Sequence, residues 1–229
     1  LVGERVWPAA ALLVAGLALF LWTASEARPT AVTPAPTSLL YAFDSDDRQA
    51  FWVSHDETVN EWTAQVLPAS ARPEPPPAFL STPADARRLV AAAPLVDLEP
   101  PRAELVGDVF DRNVRHLSVR VDSPRGAPFL LVAPDASLAT LRAIGLHGRL
   151  VEVDPAEGPV VLVIENLPAD GVVITLQTFD RQPVDLSVTD WSFGLPQFEQ
   201  TPVEPRPPHL VRSTRWVSDS LLVHASYWF

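Results

Sequence analysis

The sequence predicts a mainly β protein: an antiparallel β-sandwich-like domain with one or two short helices, preceded by a single transmembrane helix. Three observations predict it: residues 6–22 form an uncharged apolar run, many short runs of alternating apolar and polar residues follow, and proline and glycine separate them. The expected organisation is a transmembrane helix over 1–27, a proline-rich linker over 28–37 and a β-rich domain over 38–229.

The apolar run has the length and the flanks of a membrane span. At a rise of about 1.5 Å per residue it extends roughly 25 Å, close to the ~30 Å hydrocarbon core of a bilayer once the two small residues after it are included. Trp7 and Trp22 stand near the two headgroup layers, where indole rings are common. We therefore expect this helix to cross a membrane.

A cleaved secretory signal is the alternative interpretation of the same run. Arg5 supplies a basic flank, and 25–27 loosely fits a small-x-small cleavage site. We favour a retained helix because the run exceeds the roughly 7–15 residues of a signal's apolar region. Both interpretations place the β-rich domain outside the cytoplasm, in the periplasm or on the outer face. Since the chain does not begin with methionine, we expect a fragment whose helix is the last of several spans.

The composition excludes several classes of function. The net charge is -11, and all 17 basic residues are arginine. So acidic a chain is a poor candidate for binding nucleic acid or an anionic membrane surface. The absence of cysteine excludes disulfides, cysteine zinc sites and thiol nucleophiles.

The linker and a hairpin come after the apolar run. Prolines recur over 28–37 and favour a stiff, extended segment. The β-like runs 38–44 and 49–54 enclose the acidic turn 44–47, which predicts a hairpin.

A short helix and a proline-rich segment are expected next. Thr58 and Glu61 have the spacing of a capping box, which predicts a helix over 58–67. Residues 68–83 are proline-rich and irregular, and we expect either a loop over the sheet or a boundary between subdomains.

Regularly spaced strands fill the remainder of the chain. The clearest alternation covers 116–122, where Leu117, Val119 and Val121 face one side. Many short strands parted by turn residues are typical of an antiparallel sandwich. A second small helix is expected over 135–144. The predicted strands are 88–93, 103–110, 115–122, 128–133, 149–154, 160–165, 172–179, 184–189 and 220–227.

Three stretches, taken in order, resemble a known family. They are LLYAFD at 39–44 with AFWVSHD at 50–56 and Trp62, DWSFGLP at 190–196, and SDSLLVHASYWF at 218–229. Together they look like the C-terminal extracytoplasmic domain of multi-pass zinc metallopeptidases related to the vacuolar membrane protease and the endoplasmic reticulum metallopeptidase. The resemblance covers most of 38–229.

The resemblance implies a non-catalytic piece of a larger enzyme. In that family a zinc peptidase domain lies upstream, membrane helices follow, and this domain faces the lumen or periplasm. The expected partners are the membrane and the upstream peptidase domain and helices of the same polypeptide, with no nucleic acid. The zinc cofactor belongs to the parent's peptidase domain. No catalytic, cofactor-binding or metal-binding residue is carried over to this chain.

The residues themselves offer weak metal candidates. His55, Asp56 and Glu57 are consecutive, so on a strand they point to opposite faces, and we expect a structural role. The turn residues Asp44, Asp46 and Asp47 have oxygen ligands for Ca²⁺ but lack the glycine and distal glutamate of a known loop, so we expect a solvated hairpin tip. A zinc site built from distant strands is the disfavoured alternative for the other histidines, which have no metal-ligand spacing: His116, His147, His209 and His224.

The tryptophans of the domain allow two interpretations. On an exposed sheet face they would form a platform for carbohydrate or peptide, whereas within apolar alternation they fill the core, which we favour. They are Trp52, Trp62, Trp191, Trp216 and Trp228.

Three functions are compatible with these observations. The first is a non-catalytic accessory domain that stabilises or gates a membrane-bound, aminopeptidase-like zinc hydrolase. The alternative is a free-standing, membrane-anchored β-sandwich module that binds carbohydrate or peptide. An independent hydrolase is disfavoured because no nucleophile elbow or ligand motif occurs in the sequence.

Overall fold

A computed structural model describes residues 6–26, 29–80, 86–134, 140–154, 160–198, 202–214 and 218–229. In the N-terminal helix, side chains are described from Ala10 to Thr23. The sequence expectations for Arg5, Ala27, Arg28, Trp216 and residues 135–139 lie outside the described residues.

The described residues contain one α-helix, two single-turn 3-10 helices and fourteen strands. The helix α1 is Val6–Glu26, and the 3-10 turns are Thr63–Gln65 and Ala78–Leu80. The strands are β1 (Ala35–Thr37), β2 (Leu40–Asp44), β3 (Gln49–Ser54), β4 (Leu89–Ala92), β5 (Arg102–Asp111), β6 (Val114–Asp122), β7 (Phe129–Pro134), β8 (Leu141–Leu146), β9 (Arg149–Glu152), β10 (Leu162–Glu165), β11 (Val172–Thr178), β12 (Asp185–Phe193), β13 (Leu210–Arg212) and β14 (Ser220–Trp228).

Backbone contacts divide the chain into two compact units, of which the first holds α1 and the linker. This unit consists of Leu1–Pro36 and Arg206–Val211. After the helix, the Thr30 hydroxyl accepts a hydrogen bond from the Thr33 amide at 3.1 Å and closes a bend. The Ala35 amide donates to the carbonyl of His209 at 2.9 Å. The linker therefore bends once before it becomes extended.

The α-helix exposes an apolar surface on all its sides. Every described side chain from Ala10 to Thr23 is exposed, including Leu13 and Phe20. Within the described part of the chain, no helix combines the length and the apolar character that crossing a membrane requires.

The second unit, Thr37–Pro205 with Arg212–Phe229, carries the two large sheets. The seven-stranded sheet has the order β10-β7-β12-β14-β2-β3-β4, and the five-stranded sheet has the order β5-β6-β11-β8-β9. All neighbours pair antiparallel except β14 and β2, which are parallel. The C-terminal strand thus lies inside the larger sheet, between β12 and β2.

Both sheets contribute to one hydrophobic core. Leu117 and Ile174 come from the five-stranded sheet, Leu130 and Val188 come from the seven-stranded sheet, and all four are fully buried in the same cluster. Along β6, β7 and β11 every second residue is buried, as the period of two requires. The mainly β prediction is confirmed, and the shared core is consistent with a sandwich.

A smaller cluster lies on the other face of the seven-stranded sheet. Leu40, Trp191 and Leu222 are buried there, and Phe79 and Leu80 pack against them. The described part of the proline-rich segment therefore covers this face of the sheet, as the first of its two interpretations expected.

The predicted strands are confirmed, since each predicted run overlaps an observed strand. The helix predicted over 58–67 is wrong in extent, because only the 3-10 turn Thr63–Gln65 forms. The Asn60 side chain accepts from the amides of Trp62 and Thr63, both at 3.0 Å, and so starts the turn later than a Thr58 cap would.

The helix predicted over 135–144 is wrong in its described part, where β8 pairs with β11 and β9. His147 and Gly148 both have positive φ and form a tight turn between β8 and β9. A Cβ on Gly145 would lie 1.9 Å from the Arg149 carbonyl oxygen, so the hairpin requires glycine there. Long-range pairing overrides the local helical tendency.

One buried ion pair ties β12 to the turn before β7. The side chain of Asp190 is fully buried, and it accepts hydrogen bonds from the guanidinium of Arg125 and the hydroxyl of Ser123. The Arg125 side chain is only 13 % exposed. Removing one member of such a pair leaves an uncompensated buried charge.

We predict that Arg125→Met lowers the free energy of unfolding by about 3–5 kcal/mol at neutral pH, because it leaves the Asp190 carboxylate unpaired. Arg120→Met, which removes an exposed hydrogen bond to the Asp170 carbonyl, should change it by less than about 1 kcal/mol. Urea unfolding followed by tryptophan fluorescence measures both. Equal losses would contradict the assignment of the pair.

The same carboxyl predicts a pH dependence. Burial raises the pKa of Asp190, against the opposing effect of Arg125. The folded protein therefore keeps this proton where the unfolded chain, with an ordinary pKa of about 3.9, has lost it. Protonated Asp190 therefore stabilises the folded protein at low pH. This contribution declines as the pH rises from the pKa of the unfolded chain to the higher pKa of the folded protein.

Asp190→Asn should remove that decline from a plot of urea midpoint against pH. The exposed-turn variant Asp170→Asn should keep the wild-type slope above about pH 4. An Asp190→Asn profile parallel to the wild-type profile would contradict the assignment.

Candidate functional site

The acidic turn between β2 and β3 forms one side of the candidate site. The two strands pair antiparallel, with Asp44 opposite Gln49, and thus confirm the predicted hairpin. The Asp46 amide donates to Asp44 Oδ1 at 3.0 Å, so the Asp44 side chain closes the start of the turn. Arg48 completes the turn with a φ of 52°.

The other side of the site is His224 on the C-terminal strand. Because β14 runs parallel to β2, His224 lies beside Asp44 in register. One ligand atom from each of Asp44, Asp46 and His224 lies within 4.8 Å of the other two. Asp47, the third acid of the predicted turn, is exposed and does not belong to this group.

The imidazole of His224 is held on several sides. Its Nδ1 lies 3.1 Å from the Thr189 hydroxyl, and its Nε2 lies 3.2 Å from the Ser226 hydroxyl and 3.7 Å from Asp46 Oδ2. The Phe79 ring stacks on the imidazole at a centroid distance of 5.1 Å and an interplanar angle of 19°. The ring orientation is therefore fixed by strands on both sides and by the covering segment.

Burial sets the charge of this imidazole. It lowers the pKa of His224, while the carboxylates of Asp44, Asp46 and Asp185 act in the opposite direction. At neutral pH the ring is accordingly neutral, which is the form that ligates metals.

Further hydrogen bonds fasten the turn to β14. The Ser45 hydroxyl and amide donate to the His224 carbonyl at 2.6 and 3.0 Å. Asp46 Oδ2 accepts from the Ser226 amide at 2.9 Å. The site thus joins two parts of the chain about 180 residues apart.

Sequence reasoning found the acids of this site but not the histidine. The sequence offers His224 no partner at metal-ligand spacing, and a site built from distant strands is its disfavoured alternative. The available signal was a polar position within the apolar C-terminal strand, on the same parity as Leu222 and Ser226. The polar position indicates a site only once the neighbouring strand is known, and no local sequence pattern predicts the parallel pairing of β14 with β2.

The second metal candidate has a structural role in the described geometry. Asp56 Oδ2 accepts from the Thr37 hydroxyl at 2.6 Å and from the Asn60 side-chain amide at 2.9 Å. Asp56 Oδ1 accepts from the Ser38 amide at 3.0 Å. The carboxylate joins the start of β2 to the loop after β3, and its oxygens are used by these donors.

Among the described residues, the remaining histidines do not belong to this group of ligand atoms. His116 is on β6 and contacts the Gln177 side chain at 3.3 Å. His147 is in the β8–β9 turn, and His209 belongs to the first unit.

A second polar cluster occupies the end of β5. Arg115 donates to both carboxylate oxygens of Asp108, at 2.9 and 2.8 Å, and this hydrogen bonding lowers the pKa of Asp108. The Arg181 guanidinium lies 4.4 Å from the ring centroid of Phe110. Arg115 also donates to the Gln182 carbonyl at 2.8 Å, so the pair fixes the loop after β11.

Most of the described tryptophans in the second unit fill the interior. Trp52, Trp62 and Trp191 are 2–5 % exposed, whereas Trp228 is 67 % exposed. The Trp62 ring nitrogen donates to the Glu204 carbonyl at 2.8 Å. These positions confirm the core interpretation for three of the four described rings.

Comparison with known proteins finds no matching protein-family model and no matching curated sequence. Membership of the metallopeptidase family accordingly stays a prediction from the sequence.

We predict that Asp56→Ala lowers the free energy of unfolding by about 2–3 kcal/mol, because it leaves the buried hydrogen-bond donors of Thr37 and Ser38 without an acceptor. The neighbouring acid gives a matched control. Glu57→Ala removes an exposed carboxylate and should change stability by about 0.5 kcal/mol or less. Chemical denaturation of both variants, followed by circular dichroism, measures the difference, and equal effects would refute the anchoring role.

Proposed function

We propose that this chain is the membrane-anchored, non-catalytic accessory domain of a zinc-dependent, aminopeptidase-like hydrolase. In this proposal α1 is a transmembrane helix, the β-sandwich lies outside the cytoplasm, and it stabilises or gates the peptidase domain upstream in the same polypeptide. The zinc ligands and catalytic groups belong to that upstream domain.

The apolar surface of α1 is the observation that supports a membrane anchor. The helix has 21 residues, about 31 Å, although the part with described side chains, Ala10 to Thr23, is by itself too short to cross a bilayer. Large apolar side chains are exposed around it, from Leu12 at 75 % to Trp22 at 66 %. A helix that is apolar on every side needs a nonpolar environment, and a bilayer supplies one.

The placement of the resembling stretches supports a shared domain type. The stretch 39–44 contains β2, the stretch 50–56 contains all but the first residue of β3, the stretch 190–196 contains the end of β12, and the stretch 218–229 contains β14. These strands are consecutive neighbours in the order β12-β14-β2-β3. Segments distant in sequence thus build one continuous part of the larger sheet.

The exposed surface of the second unit supports docking to another domain. Large apolar side chains are exposed on the edge strands of the five-stranded sheet, Val109 on β5 and Val151 on β9, and also at Phe179. Because Trp52, Trp62 and Trp191 are buried, the aromatic row that a free-standing carbohydrate-binding module would need does not form from them. The accessory function is therefore favoured over the binding module.

We test the accessory role in the full polypeptide by inserting a site for a specific protease between Thr30 and Pro34 of the linker. Cleavage separates the β-rich domain from α1 covalently. We expect the released domain to stay bound to the membrane protein and the peptidase rate to change when the domain is washed away. The same protein without protease treatment is the control.

Two outcomes would contradict the proposal. One is immediate dissociation of the domain with an unchanged peptidase rate. The other is turnover of aminopeptidase substrates by the purified 229-residue chain alone, since the proposal places the catalytic groups elsewhere.

A further inference from the structure

We propose that Asp44, Asp46 and His224 bind one divalent transition-metal ion, which ties the β2–β3 turn to the C-terminal strand. The proposed role is structural, and it does not depend on the identity of the parent enzyme. The ligands are two carboxylate oxygens and one imidazole nitrogen.

The distances bring the three groups within reach of one ion. Metal–ligand bonds of about 2.1 Å in tetrahedral geometry place ligand atoms about 3.4 Å apart. The ligand atoms already lie within 4.8 Å of one another, and Nε2 of His224 is 3.7 Å from Asp46 Oδ2. A carboxylate oxygen has two lone pairs, so Asp46 Oδ2 binds the ion while it accepts the hydrogen bond of the Ser226 amide, and water completes the coordination on the open side.

The histidine is oriented as a metal ligand would be. Its side chain is 7 % exposed, and Phe79 stacks on the ring. With Nδ1 against the Thr189 hydroxyl, Nε2 faces the Ser226 hydroxyl at 3.2 Å and Asp46 Oδ2 at 3.7 Å. Metal-ligating histidines use the second ring nitrogen in this way, because a hydrogen bond there fixes both tautomer and orientation.

The charges at the site also call for a cation. Among the ion pairs of the described residues, neither Asp44 nor Asp46 pairs with an arginine. The one ion pair that involves either carboxylate is the 3.7 Å contact between Asp46 and His224. The two carboxylates are held close by the turn itself, since Asp44 accepts the amide of Asp46. A bound cation relieves their mutual repulsion.

The mixed ligand set distinguishes between classes of ion. Ca²⁺ and Mg²⁺ prefer all-oxygen sites, whereas an imidazole favours zinc and other first-row transition metals. In a chain without cysteine, such an ion fastens a hairpin to a distant strand as a disulfide does elsewhere.

The test uses the full chain, purified in detergent, stripped with a chelator and titrated with Zn²⁺ by calorimetry and with Mn²⁺ by electron paramagnetic resonance. We expect one saturable site per chain. Asp44→Asn, Asp46→Asn and His224→Gln, which retain hydrogen-bonding groups, should each weaken binding at least about tenfold. Asp47→Asn alters the neighbouring exposed acid and should bind as the wild type does.

A second variant keeps the test valid if replacement of the buried His224 prevents folding. Thr189→Val leaves all three ligands in place and removes the hydroxyl beside Nδ1, so it should weaken binding about tenfold. Metal should also raise the melting temperature of the wild type and of Asp47→Asn, but not that of Asp46→Asn.

Three results would overturn the proposal. They are the absence of saturable Zn²⁺ or Mn²⁺ binding up to millimolar concentration, equal binding by Asp46→Asn and Asp47→Asn, and tighter binding of Ca²⁺ that is insensitive to His224→Gln. None of these measurements involves peptidase turnover, so their failure is distinguishable from failure of the proposed function.

Discussion

The parallel pairing of the C-terminal strand with β2 is the constraint on which the second unit depends. Strand β14 fills the position between β12 and β2, so without it the seven-stranded sheet divides into two parts. Its residues are buried from Ser220 to Ala225. The first and last strands of this unit's larger sheet are therefore neighbours, and the sheet is continuous only when both are in place.

The same pairing creates the candidate site. It brings His224 beside Asp44 and lets Ser45 and Asp46 bond to the backbone of β14. Phe79 covers the imidazole from the proline-rich segment, so three distant segments meet at one ring. Polar groups of this kind within a sheet specify register, because a slip of one residue would turn His224 to the other face.

Local sequence patterns predicted the strands well because the period of two is visible within six to nine residues, as in β6. They failed where pairing at long range decided the structure: β8 lies in a segment expected to be helical, and the parallel neighbour of β14 has no local signature. The candidate site shows the same division. The acids of the turn were identifiable from the hairpin pattern, whereas His224 became relevant only through a strand about 180 residues away.

The most direct test of this account is amide hydrogen exchange of the full chain, resolved by nuclear magnetic resonance. If β14 is the inner strand that closes the sheet, the amides of Leu222 and Val223 should exchange only through global unfolding, as slowly as those of Leu117 on β6. Rapid exchange at Leu222 and Val223, with Leu117 still protected, would show that the C-terminal strand is peripheral and would contradict the account.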